Sequence, residues 1–353
     1  MFLLALAMVV TLTSLWEWRM RSLALLPGDL SPSAAAWVVQ RRRVDAEDAK
    51  VVIIGDSRIL YDTDLGRFQA LTGLRPIQLA LQGTNCLPFL ENLAADDHFK
   101  GLVIVGITDT SYFRERIGLF EAALKFARFE SPSDRIGYWL DYGLSQYLGF
   151  LEPEYRLSVL VKRLDPDLRP GVKGPYDDVW KISTMGEDRQ TAIWSRIETD
   201  PRLRDHARAV WNGFKGDKVS DAVIASTLGR TRTAVLAIRA HGGDVIFVRP
   251  PSAPELRVNE DQRLSRARGW DALLAAAQVR GVHADDVPET RGLIFPEFSH
   301  LSRACAPVFT DAYVRRLTGL TPRLQLRKDA PPPLGPRDCV PAGAASAEVT
   351  TQR

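Results

Sequence analysis

The sequence predicts an α/β chain: an open, mostly parallel sheet with helices on both faces, a helical insertion and an N-terminal transmembrane helix. Three observations carry this. Short, continuous β-branched runs ending in Gly or a polar loop alternate with segments of helical apolar spacing, the pattern of strands buried on both faces. With 353 residues, 45% apolar and 25% charged, the chain holds enough apolar material for a full core. The first sixteen residues carry no charge at all.

Those sixteen residues, MFLLALAMVVTLTSLW, span about 24 Å as a helix against a hydrocarbon core of about 30 Å. Trp16 and Trp18, then Arg19 and Arg21, suit an interfacial belt, so residues 1–21 are expected to anchor the chain in a membrane. A cleaved signal and a buried core helix are the rival readings. The positive charges after the run, counted alone, keep the body cytoplasmic. Residues 22–48 read as a polar, Ala-rich linker.

The globular body, 49–320, opens with the strand VVIIG at 51–55. DSRILYDTDLGRFQALTG follows with Leu65, Phe68 and Leu71 at helical spacing and Gly73 as a stop. PIQLALQG at 76–83 is a second strand, LPFLENLAAD a helix and GLVIVGITDT at 101–110 a third strand. Later come an amphipathic helix closed by Gly242 and Gly243, the strand DVIFVRPP at 244–251, the helix WDALLAAAQVRG and a last helix near 300–318. Strand and helix alternate, which dictates a helix-covered parallel sheet.

Between about 112 and 218 the alternation stops. Phe120, Phe126, Trp139, Tyr147, Phe150, Trp180, Trp194 and Trp211 fall there among charges and mainly helical periodicity. This predicts a helical insertion over a sheet edge or over the mouth of a site, with the aromatics as its small core. The segment 321–353, with three consecutive prolines and AGAASAEVTTQR, is expected to be disordered.

Composition also excludes partners. Forty-six basic against forty-three acidic residues leave a formal charge of +3, without the basic face of a nucleic-acid binder. Cys86, Cys305 and Cys339 are too few and too scattered for a disulfide scaffold or a four-ligand zinc site, and no pairing is evident. No G-x-G-x-x-G, P-loop or metal-spaced cluster occurs, so no cofactor or metal is expected.

Ligands of an open α/β sheet bind beyond the carboxyl ends of its strands. The residues there are Asp56-Ser57-Arg58, Gly83-Thr84-Asn85, Thr108-Asp109 and Arg249-Pro250. A Ser between strand and helix can place its hydroxyl and backbone N–H where an anion develops; Gly-Asp-Ser alone is also an ordinary helix cap. Later, Glu297-Phe298-Ser299-His300 sets an acid three residues before a His, followed by LSRACAPVFTDAYVRRL.

Together these blocks resemble the SGNH (GDSL-like) hydrolase superfamily, over about 50–110 and 244–318. The resemblance implies a flavodoxin-like sheet, Ser57 as nucleophile, His300 as base and Glu297 as the acid that orients it. It implies an oxyanion hole from Ser57, Gly83 and the position of Thr108. Two departures stand out: Thr108 replaces the family's Asn, and Glu297 replaces its usual Asp, with Asp285 and Asp286 as nearby alternatives at the wrong spacing. Asn85 is a candidate to replace the lost donor. Arg58 and Arg249 are candidates for binding an anionic or glycan substrate, salt bridges being their plainer reading. His98, His206, His241 and His283 read as surface residues.

By this resemblance the chain is expected to be a serine esterase or O-acyltransferase acting on acyl or acetyl esters of an envelope glycan. It would be single-pass in a bacterial inner membrane with a periplasmic body, and an integral-membrane acyltransferase is a possible partner. The alternative is a catalytically weak or inactive SGNH-fold protein that binds glycan or scaffolds an envelope assembly.

Overall fold

In a computed structural model of the chain, residues 1–30, 32–115, 120–156, 159–161, 181–212 and 216–340 are described. Among them, β1 (Val51–Gly55), β2 (Ile77–Gln78), β3 (Leu102–Gly106), β6 (Asp244–Arg249) and β7 (Gly281–His283) form a five-stranded sheet. Its order is β2-β1-β3-β6-β7 and every neighbouring pair is parallel. β4 (Ser183–Met185) and β5 (Thr191–Ile193) form a separate antiparallel hairpin.

β1 and β3 are apolar throughout because both faces are covered. Val52, Ile54, Val103 and Val105 point to a layer made by α2 (Ala34–Ala46), α5 (Leu87–Ala94), α11 (Asp221–Ala240) and α13 (Ala272–Ala277). Val51, Ile53, Leu102 and Ile104 point to α3 (Ser57–Asp62), α4 (Leu65–Thr72) and α14 (Cys305–Thr318). β2 lies on one side of β1 and β3 on the other, so their connections part and leave a crevice above the ends of β1 and β3.

Several sequence expectations are corrected here. Residues 22–48 are no simple linker: α2 buries Trp37, whose indole N–H donates to Leu79 O at 2.9 Å. The helix after β1 breaks in two at Thr63-Asp64, where the Asp64 carboxylate caps α4 through Arg67 N. Gly73 does stop α4, at φ +77°. The second strand keeps only Ile77–Gln78, although Leu79 N and Leu81 N still bond Ile53 O and Gly55 O. β7 and the β4–β5 hairpin were not foreseen; at three residues each they are too short to show a period.

The expected disordered tail folds against the body as far as residue 340. Leu324 is fully buried, Arg327 N bonds Leu71 O, and Cys339 is disulfide-bonded to Cys305 with Cα atoms 4.5 Å apart. A separation of 34 residues is no obstacle when the chain returns across α14. Residues 341–353 and Trp180 lie outside the described residues.

After α6 (Asp109–Tyr112), which follows β3, the insertion holds α7 (Phe120–Phe129), α8 (Pro132–Ser145), the β4–β5 hairpin, α9 (Ser195–Thr199) and α10 (Pro201–Asn212). Trp194 is buried as expected, and Tyr155 is buried beside it, but their partners include Met20 and Leu25 from the N-terminal region. There α1 (Phe2–Ser22), the one described helix long and apolar enough to cross a membrane, ends against the body. The Glu17 carboxylate at this end accepts from Gly149 N and Phe150 N, both at 3.0 Å. Trp139 and Tyr147 are not core residues at all; both are exposed.

Candidate active site

Two glycines bring a helix close enough to the sheet to aim Ser57. A Cβ on Gly55 would lie 2.4 Å from Gly106 O, and one on Gly106 would lie 2.2 Å from Ile59 Cβ. With hydrogen in both places Ile59 sinks between the ends of β1 and β3 and is fully buried. α3 therefore starts directly above the crevice, with Ser57 as its first residue. The Asp56 side chain caps it by accepting from Arg58 N at 3.1 Å.

His300 arrives from the opposite side of the crevice. Its Nε2 lies 2.8 Å from Ser57 Oγ, and its Nδ1 lies 2.8 Å from Glu297 Oε1. The same Glu297 oxygen accepts from His300 N at 2.6 Å, which closes a tight turn through Phe298 at φ +76°. That turn is pinned by the bond from Ala253 N to Phe298 O and by the Arg208 guanidinium over the Phe298 ring. The Tyr61 ring lies on the imidazole, centroids 4.3 Å apart, and Asp62 Oδ1 accepts from Leu301 N. The carboxylate facing His300 is thus Glu297; Asp285 and Asp286 pair instead with Arg257 and Arg266 on the surface.

Sequence reasoning placed Trp211 in the core of the insertion. Instead its indole N–H, carried on α10, donates to Glu297 Oε2, and its ring meets His300 edge-on at 5.9 Å. Glu297 is fully buried, so a second donor matters to a carboxylate kept from water. No local pattern marks Trp211 for this role, because its partner lies 86 residues away.

A cavity of about 160 Å³ opens in front of Ser57, with Gly83 and Thr108 in its wall. Gly83 adopts φ +65°, which favours glycine and turns the chain out of the β2 segment. Thr108 is the N-cap residue just before α6, and its side chain makes no capping hydrogen bond there. Asn85 does not serve as the replacement donor. Its amide donates to Arg114 O at 2.9 Å, its Oδ1 accepts from Leu87 N, and it is absent from the cavity wall.

The arginines are also corrected. Arg249 is 1% exposed behind the cavity, bound to Asp109 at 3.2 Å and to Glu260 at 2.6 Å. It is a structural ion-pair member and not a substrate ligand. Arg58 does line the cavity, yet its guanidinium is held by Glu260 and by Ser299 Oγ. Glu260 on α12 (Pro254–Arg263) so joins the nucleophile helix to the end of β6. Burial works against its charge, but Arg58 and Arg249 outweigh burial and hold its carboxyl well below the usual range. Taking away one partner of such a buried network is costly, because it strands the others.

Of the four histidines assigned to the surface, His283 is in fact buried. Its Nδ1 accepts from Asp285 N, and burial, with Arg249, Arg257 and Arg266 nearby, lowers its pKa to about 3. Among the described residues no group of three or more His, Cys, Asp or Glu is arranged to hold a metal ion. Compared with protein-family models, curated proteins and solved structures, the chain matches none.

Proposed function

We propose that the chain is a membrane-anchored serine esterase or O-acyltransferase of SGNH type. The observation that carries this is the relay from Ser57 Oγ through both His300 nitrogens to Glu297, set at the crevice between β1 and β3. Ser57 Oγ attacks the ester carbonyl while His300 Nε2 takes its proton, and Glu297 stabilises the imidazolium. The backbone N–H groups of Ser57 and Gly83 and the Thr108 hydroxyl face the oxyanion. Collapse expels the alcohol, which receives the proton from His300. Water, or a hydroxyl of an acceptor glycan, then takes the acyl group from Ser57.

The test is turnover of 4-nitrophenyl acetate by the full chain, with Ser57→Ala as control. Turnover that vanishes in the variant supports the reading. The second reading, a weakly active or inactive glycan-binding member, rests on Thr108 in the Asn position with Asn85 committed elsewhere. Absent turnover in the wild type favours it.

Two features support a membrane seat with the body outside the cytoplasm. The Cys305–Cys339 disulfide belongs to an oxidising compartment, which outweighs the two arginines after the apolar run. Beside the exit of α1, whose Arg21 donates to Tyr147 O at 2.9 Å, α8 exposes Ile136 (62%), Trp139 (53%), Leu140 (62%) and Leu144 (52%). These share the face opposite Tyr138 and Tyr142, which pack inward, so α8 can lie in the same interface that α1 crosses. In vesicles, an environment-sensitive dye on Leu140→Cys reports an apolar setting on this reading, and a water-like one argues against it.

A further inference from the structure

The cavity before Ser57 carries more cation than its walls neutralise. Arg58, Arg114 and Arg263 line it against Asp56 and Glu260. Glu260 is taken up by Arg58 and Arg249, and the Asp56 carboxylate accepts the Arg58 backbone N–H as a cap. Arg114 and Arg263 form no ion pair with a carboxylate among the described residues. Arg263 Nε–H donates only to Asp217 O, at 3.3 Å. Both arginines line the same cavity; burial and then the Arg114 charge lower the Arg263 pKa, while the more weakly acting carboxylates of Glu260 and Asp217 raise it.

Their supports differ. Arg114 follows α6 on the segment leaving β3, while Arg263 ends α12, whose Glu260 is locked to the nucleophile helix. Arg114 is also fixed through its carbonyl, which accepts from the Asn85 amide. Two arginines on independent, braced elements, in one cavity with the nucleophile, are suited to a planar anion.

We propose that Arg114 and Arg263 clamp a carboxylate of the substrate, so that the preferred ester carries a negative charge close to its acyl group. Three arginines against two carboxylates leave one positive charge on the wall, which a monoanion neutralises and a phosphate dianion would overshoot. The inference rests on the esterase reading for its chemistry and names the substrate class: an ester of an acidic, carboxylated molecule.

The experiment compares 4-nitrophenyl acetate with 3-carboxy-4-nitrophenyl acetate, each normalised to its uncatalysed hydrolysis, on the full chain. The clamp predicts a kcat/KM preference of about tenfold or more for the carboxylated ester, carried by KM. Arg114→Gln and Arg263→Gln should each bring that ratio toward one, and raised salt should do the same. Equal turnover in the wild type, or a ratio that survives both substitutions, overturns the clamp. Binding of the stable analogues 4-nitroacetanilide and 3-carboxy-4-nitroacetanilide to Ser57→Ala decides it apart from catalysis. Charge-selective binding that Arg114→Gln abolishes, without turnover in the wild type, upholds the clamp and sinks the esterase. Equal binding of the two sinks the clamp even where Ser57 proves to be the nucleophile.

Discussion

Replacing Trp211 by Phe tests whether the insertion is part of the chemistry. The substitution keeps an aromatic ring beside His300 and removes the one polar group of the side chain, the indole N–H that donates to Glu297 Oε2, together with part of the ring's bulk. Glu297 is fully buried, and its other oxygen is occupied by His300 N and Nδ1. Losing a hydrogen bond to a buried charged group costs about 1.5–3 kcal/mol. Glu297 must counter the imidazolium that forms only as Ser57 reacts, so much of that loss falls on the transition state. The expected fall in kcat/KM is roughly 10- to 150-fold, in kcat more than in KM. Steady-state hydrolysis of 4-nitrophenyl acetate measures it, and circular dichroism checks that the fold survives. A loss of less than about twofold would show that the indole contact does not support the relay. A loss matching Ser57→Ala with an altered melting profile would make Trp211 a structural residue instead.

Three further outcomes follow from named contacts. Thr108→Ala should lower kcat/KM by about tenfold or less, since the backbone donors of Ser57 and Gly83 remain; a thousandfold loss would make the hydroxyl a principal donor. Cys339→Ser opens a loop of 34-residue separation and should lower unfolding free energy by about 4 kcal/mol in the chain-entropy account, read by denaturant titration. No change would mean that the tail holds without the bond. His283 protonates near the ordinary histidine value of 6.5 once unfolded but only at about 3 when folded, so stability is lost as pH falls through that window. His283→Asn keeps a side-chain acceptor for Asp285 N and should flatten this acid limb by about one proton; an unchanged slope would assign it to other groups.

How far the sequence discloses this protein depends on how local each cause is. β1 and β3 were legible because both faces are covered, which writes an unbroken apolar run into the chain. Glu297 and His300 were legible as a pair because one turn holds them, three residues apart. Trp211, the Arg58–Glu260–Arg249 network and the Cys305–Cys339 bond were not, because each joins segments far apart in the chain. The tail misled by composition: its prolines and charged residues hide Leu324 and Cys339, which the second core layer takes in. Asn85 misled by proximity, since two residues past Gly83 its side chain already serves the loop that carries Arg114.

The most direct measurement is mass spectrometry of the full chain after reaction with a fluorophosphonate probe, with Ser57→Ala and His300→Ala alongside. An activated serine 2.8 Å from an imidazole nitrogen should give one covalent adduct on Ser57, absent from Ser57→Ala and strongly slowed in His300→Ala. An adduct on another residue, an adduct on Ser57 that forms equally fast without His300, or none at all would contradict the account.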